Sequence, residues 1–242
     1  MPDGLPENIQ EELLLDKEAF PTYLRSREIR FYWTKAMKER SLFSARTTSK
    51  EYLERVKELL GAYQTGIGVT EDGRPISQDL GRTRMLMREK LAELGMLERE
   101  EDGTIAERMT NLGSTMRLNL IIDTNTEFAH STAQKMSASD PMQKLFRPAW
   151  ELVRNQQTQH PRNWLERWYE CASICNWEGV AQNTTRMVAL VDSQIWELLG
   201  NHYPDSIGCD QPPFCWGSHM GWKSVTRAEC IDLGLIEESN RD

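Results

Sequence analysis

The chain has 242 residues, 39% hydrophobic and 27% charged, enough apolar material for one large domain or a helical module joined to a smaller one. A net charge of -8 opposes nucleic-acid binding by the molecule as a whole, because phosphate repels a negative surface, although a local basic patch remains able to touch DNA. No window approaches the roughly 18 uninterrupted apolar residues of a membrane span, and Met1-Pro2-Asp3-Gly4 shows no basic region followed by an apolar one, so neither membrane insertion nor export is expected.

The front of the chain reads as helical. A short helix is expected within residues 11–20, stopped by Pro21, and a longer one over residues 23–40, where no glycine or proline intervenes and Tyr23, Ile29, Trp33, Ala36 and Met37 supply one apolar side. Thr48 and Glu51 stand three apart, the spacing at which each side chain caps the other's backbone N–H, and Tyr52, Val56, Leu59, Leu60 and Tyr63 follow at helical intervals until Gly66 and Gly68. Residues 70–77 are turn-rich. Ser77 or Asp79 caps the next helix, which runs to about Leu94 and stops at Gly95. An acidic loop over residues 98–103 precedes a further helix over residues 114–136.

Beyond Asp140-Pro141 the texture changes. Seven tryptophans, from Trp150 to Trp222, lie among prolines at 148, 161, 204, 212 and 213. Residues 187–191 form the best strand candidate and residues 152–154 a weaker one. The fold class expected is α+β, with a helical docking arm over residues 1–110 and a small, aromatic-rich mixed unit over residues 111–242.

Four constellations bear on chemistry. Cys209, Cys215, His219 and Cys230, with His202 nearby, are suitable zinc ligand types, but no Cys-x-x-Cys pair occurs among them and ordinary packing is the favoured reading. The five cysteines are an odd number, which argues for reduced thiols rather than a disulfide framework. Asp123, Glu127 and His130 share one helical face, an arrangement open to acid–base catalysis, yet more often a solvated side. No phosphate loop, dinucleotide fingerprint or nucleophile elbow accompanies them, so no catalytic residue, cofactor or metal is expected. Arg25, Arg27, Arg30, Trp33, Lys35, Lys38 and Arg40 form a basic, aromatic segment fit to bind an acidic protein surface or a phosphate backbone. Finally, residues 211–222 concentrate prolines, glycines and aromatics in what reads as an ordered loop.

Three blocks together resemble the phage Mu-type head morphogenesis family, the minor head proteins that accompany the portal. The first is residues 117–129, with Asp123-Thr124-Asn125 after a hydrophobic run. The second is Arg147-Pro148-Ala149-Trp150 leading into Glu151-Leu152-Val153. The third joins Met187-Val188-Ala189-Leu190 through Asp192 and Ile195-Trp196 to Pro212-Pro213-Phe214 and Gly217, and closes on residues 227–236. The likeness covers about residues 112–236. It departs from the family at residues 155–162, where an Asp-x-Arg-Thr-Arg segment is replaced by Asn155-Gln156-Gln157-Thr158-Gln159-His160-Pro161-Arg162, and at Cys215, which stands alone where a Cys-Arg-Cys-like sequence is common. The resemblance implies a non-catalytic minor capsid component of a phage or prophage, found in the host cytoplasm and then in the virion head. Its partners would be portal and capsid proteins, and Trp150, Asp192, Trp196, Pro212, Pro213, Phe214 and Gly217 would form its structural loop region. Rival readings are a toxin- or nuclease-like effector using Asp123, Glu127, His130 and His160, and a zinc-stabilised DNA-binding module.

Overall fold

The computed structural model describes residues 15–65, 79–158 and 160–237. It is an α+β protein, and the described residues form two compact units divided between Ala129 and His130. That division lies well beyond residue 110, and the front half is not an arm: it owns a packed core.

In the N-terminal unit the long helix expected over residues 23–40 is two helices, α1 (Ser26–Tyr32) and α2 (Lys35–Arg40). Thr34 separates them. Its backbone is extended and its hydroxyl accepts from the Met37 N–H (3.2 Å), so it starts a new helix instead of continuing the old one. The break turns Trp33 inward, edge-on to Phe20 (5.4 Å) and against Phe43 (6.4 Å), which in turn meets Phe128 (5.0 Å). Lys38 is buried too, and its ammonium donates to the Arg30 carbonyl (3.0 Å) in the last turn of α1. No helix covers residues 16–20, where Glu18 bridges Ser41 in parallel; the start of that expected element lies outside the described residues.

The next helix, α3 (Lys50–Thr65), is capped by Ser49, whose hydroxyl accepts from the Tyr52 N–H (3.1 Å), not by Thr48. Tyr52, Leu53, Val56, Leu59 and Leu60 are fully buried along it. The turn-rich residues 70–77 lie outside the described residues. Asp79 caps α4 (Leu80–Glu93) by accepting from Gly81 N–H (2.8 Å), and Gly95, at φ +66°, ends it where the Met96 N–H reaches the Leu91 carbonyl (2.8 Å). The apolar sides of α3 and α4 and the front of α5 (Thr115–Ala138) make the core of this unit.

Within it, α5 also satisfies a segment without regular structure. Asn125, fully buried, accepts from the Phe43 N–H (2.6 Å) and donates to the Phe43 and Ile121 carbonyls (2.9 and 2.7 Å). Its amide thereby replaces the neighbouring strand that Phe43 lacks.

The C-terminal unit holds α6 (Pro141–Phe146), β1 (Ala149–Arg154), α7 (Trp164–Ile174), β2 (Val188–Leu190), α8 (Ile195–Asn201), β3 (Met220–Val225) and α9 (Arg227–Asp232). The sheet is antiparallel, ordered β2-β1-β3, with Trp150 opposite Ala189 on one side and Ser224 on the other. Residues 220–222, expected in a loop, belong to β3. The Pro212-Pro213 bond is cis, and Pro212, Pro213 and Phe214 are buried. The end of α8 lies against the chain returning from α8 to β3: a Cβ at Gly200 would fall 1.6 Å from the Cys209 carbonyl oxygen, so only glycine fits.

Replacing Asn125 with alanine leaves the Phe43 N–H and C=O buried without their side-chain partner. The expected loss of stability is about 2–4 kcal/mol, read by urea unfolding.

Candidate functional site

The C-terminal unit is organised on a cluster of aromatic rings. Antiparallel pairing sets Leu152 opposite Trp222, which places Trp150 and Trp222 on one sheet face at diagonal positions. Their rings stack at 3.9 Å and 12°. Trp196, from α8, stands edge-on to both (5.9 and 5.5 Å) and is oriented by a hydrogen bond from its Nε1 to the Leu190 carbonyl (2.8 Å). Phe214 extends the cluster on Trp196 and Trp222, and Trp168 on Trp196. The residues expected in one structural loop region thus come together, but as parts of different elements: Trp150 on β1, Trp196 on α8, Phe214 in the Pro-Pro loop.

Beside the rings opens a cavity of about 580 Å³, lined by Trp150, Trp196, Trp222, Asp192, Asp210, Lys135 and Lys144 among others. Lys135 pairs with Asp210 (2.8 Å) and Lys144 with Asp192 (3.0 Å), the latter holding the Asp192 carboxyl below its usual range. One wall is therefore aromatic and the mouth is charged in both signs. The adjoining α6 leaves Met142, Leu145 and Phe146 exposed. Elsewhere in the unit, Asp205 joins Arg162 (2.6 Å) and Arg167 (3.0 Å), the latter on α7. Burial works to raise that carboxyl, but the hydrogen bonds from both guanidinium groups hold it low.

The basic segment of the N-terminal unit divides. Trp33 and Lys38 are buried in the core of the unit and are not part of its exposed surface, a consequence of the helix break at Thr34. Arg25, Arg27, Lys35 and Arg40 are exposed and Arg30 is half-buried, and the neighbouring Tyr23, Phe31 and Tyr32 are among the most exposed aromatics (86, 71 and 73% accessible). Arg25 and Arg27 also line a second cavity, of about 330 Å³, together with Arg46 and Arg117. Sequence reading missed this grouping because Arg117 comes from α5, some seventy residues from Arg46, and no local spacing signals it.

The other constellations resolve differently. All five cysteines are buried and free, and burial pushes Cys171, Cys215 and Cys230 up to about 11. Among the described residues no three His, Cys, Asp or Glu side chains are placed to hold a metal ion. Asp123 and Glu127 do lie on α5, one turn apart, and burial together with the charge of Asp123 raises the Glu127 carboxyl to about 8. Among the described residues no helix is long and apolar enough to cross a membrane. Comparison with family models, with curated proteins and with solved structures returns no match to this chain.

Because the folded value of Glu127 lies above the ordinary 4.5, the fold favours its protonated form. Its contribution to stability is complete below about pH 4.5 and is lost as pH rises through about 8. Glu127→Gln is therefore expected to raise the thermal midpoint at pH 8 and leave it nearly unchanged at pH 4.5, read by melting curves of both proteins across that range.

Proposed function

We propose that the chain is a minor head protein of a phage or prophage, acting without turnover in capsid assembly and in DNA packaging or ejection near the portal. The observation that carries this reading is the fate of the second and third sequence blocks that resemble the head morphogenesis family. Though separated by some thirty residues, they become β1, β2, α8 and the Pro-Pro loop around one aromatic cluster. An ordered succession of short blocks that meet in one cluster is what this reading expects of a shared fold.

The surface also suits docking. Tyr23, Phe31 and Tyr32 stand exposed beside Arg25, Arg27 and Lys35, the aromatic-plus-arginine composition that protein interfaces concentrate. In the C-terminal unit, Met142, Leu145 and Phe146 on α6 give a second apolar surface next to the charged mouth of the aromatic cavity. Both are surfaces for a protein partner, and an acidic molecule with basic docking residues remains soluble until it meets one.

The test is co-purification with the portal and capsid proteins encoded beside it, sized by mass photometry. Deleting residues 25–40 is uninformative, since it removes Ile29 and Trp33 from the core. The useful variant changes Tyr23, Phe31 and Tyr32 to serine. A stoichiometric complex with the unaltered chain that weakens in this variant is the expected result; a monomer that ignores both partners overturns the proposal.

A further inference from the structure

The second cavity contains a feature that neither docking nor packing explains. Arg117 is only 7% accessible, yet no carboxylate among the described residues pairs with it. Its guanidinium donates to the Ala45 carbonyl and to the Ser44 hydroxyl (3.5 Å), both neutral. Burial presses its proton affinity down, and the nearby Tyr52 hydroxyl has no hydrogen-bond partner. A guanidinium taken out of water without an anion is costly, because neutral acceptors recover only part of its hydration. An anion arriving from outside would relieve that cost.

The walls are consistent with that. Arg25, Arg27 and Arg46 line the same cavity, so four arginines face about 330 Å³ and no acidic residue does. The Arg27 and Arg46 side chains are exposed, with no ion pair among the described residues. Glu28, the acid nearest along the chain, is occupied by the Arg25 backbone N–H (2.7 Å). Thr110 adds a hydroxyl to the lining, and Met109 and Ala45 an apolar wall.

We infer that this cavity of the N-terminal unit is a binding site for a phosphate group, with Arg117 at its buried floor and Arg27 and Arg46 closing over the anion. A tetrahedral, multiply charged oxyanion matches several planar guanidinium forks at once, while a lone carboxylate would leave most of that charge unneutralised. The volume lies at the small end of ligand cavities, suited to one phosphate with a short attachment. The group comes either from a small phosphorylated molecule or from a nucleic-acid backbone, and the two sources share this recognition.

The experiment is isothermal titration calorimetry of the full chain at low ionic strength, with inorganic pyrophosphate in one arm and an oligothymidylate of about twelve nucleotides in the other. One saturable site is expected for at least one probe. Arg27→Glu and Arg46→Asn should each weaken it by about tenfold or more, without lowering the thermal midpoint, since both side chains are exposed. Arg99→Glu, outside the cavity, should change nothing. Arg117→Met should abolish binding, and the surface variants decide the matter if that protein does not fold. Binding of pyrophosphate alone identifies a small-molecule source; tighter oligonucleotide binding that pyrophosphate displaces identifies a backbone phosphate. No saturable binding of either probe, or binding indifferent to Arg27→Glu and Arg46→Asn, overturns the inference. Neither result touches the head-assembly reading, whose test is complex formation with portal and capsid proteins.

Discussion

The structure depends on α5 doing more than contribute an apolar stripe. A long helix has its own backbone bonds satisfied, so its side chains are free to serve backbone that has no ladder of its own. In the N-terminal unit Asn125 makes two hydrogen bonds to the Phe43 backbone and a third to the Ile121 carbonyl of its own helix, and Arg117 reaches the Ala45 carbonyl. In the C-terminal unit the later turns repeat the device. Ser131 donates to the Pro212 carbonyl (2.7 Å) and Gln134 to the Trp222 carbonyl (3.0 Å), while Lys135 holds Asp210. Without these side chains, the Phe43 peptide groups and the Pro212 carbonyl would be buried without the hydrogen bonds they make here.

This arrangement explains why so much of the chain is irregular and still buried. Residues 41–45 are all buried although their one pairing of strand type is an isolated bridge at Ser41, and side chains of α5 supply hydrogen bonds at Phe43 and Ala45. The aromatic cluster plays the matching part in the C-terminal unit. A three-stranded sheet with one strand of three residues is too small to stand alone. Stacked and edge-on tryptophans contribute about 0.5–1.5 kcal/mol per pair beyond the area they bury. Trp196, in contact with four other rings, is the shared member.

Much of this was legible in the sequence where the cause is local. Asp79, Gly95 and the period of residues 52–60 fixed two helices, because caps and apolar spacing act within a few residues. The break at Thr34 was not legible: an uninterrupted helix and a helix restarted by a threonine cap satisfy the same pattern, and burial of Trp33 between Phe20 and Phe43 decides between them. Nor was β3. Its inward Met220 and Trp222 and outward Lys223 alternate as a strand should, but Gly217 and Gly221 gave the stretch a loop's composition, and its identity comes from pairing with β1 seventy residues earlier. The basic segment was visible as composition, while the cavity it shares with Arg117 exists only in three dimensions.

The same long-range placement links fold to function. By holding residues 43–45 against the front of α5, the N-terminal unit brings Arg46 to the cavity whose floor is Arg117, and presents Tyr23, Phe31 and Tyr32 outward. The most direct measurement of whether α5 side chains carry the irregular backbone is native-state hydrogen exchange at the Phe43 amide. If Asn125 holds it, that amide exchanges as slowly as those in the middle of α3, despite lying outside every helix and strand. Exchange at the rate of an exposed loop would contradict the hydrogen bond on which the N-terminal unit is built.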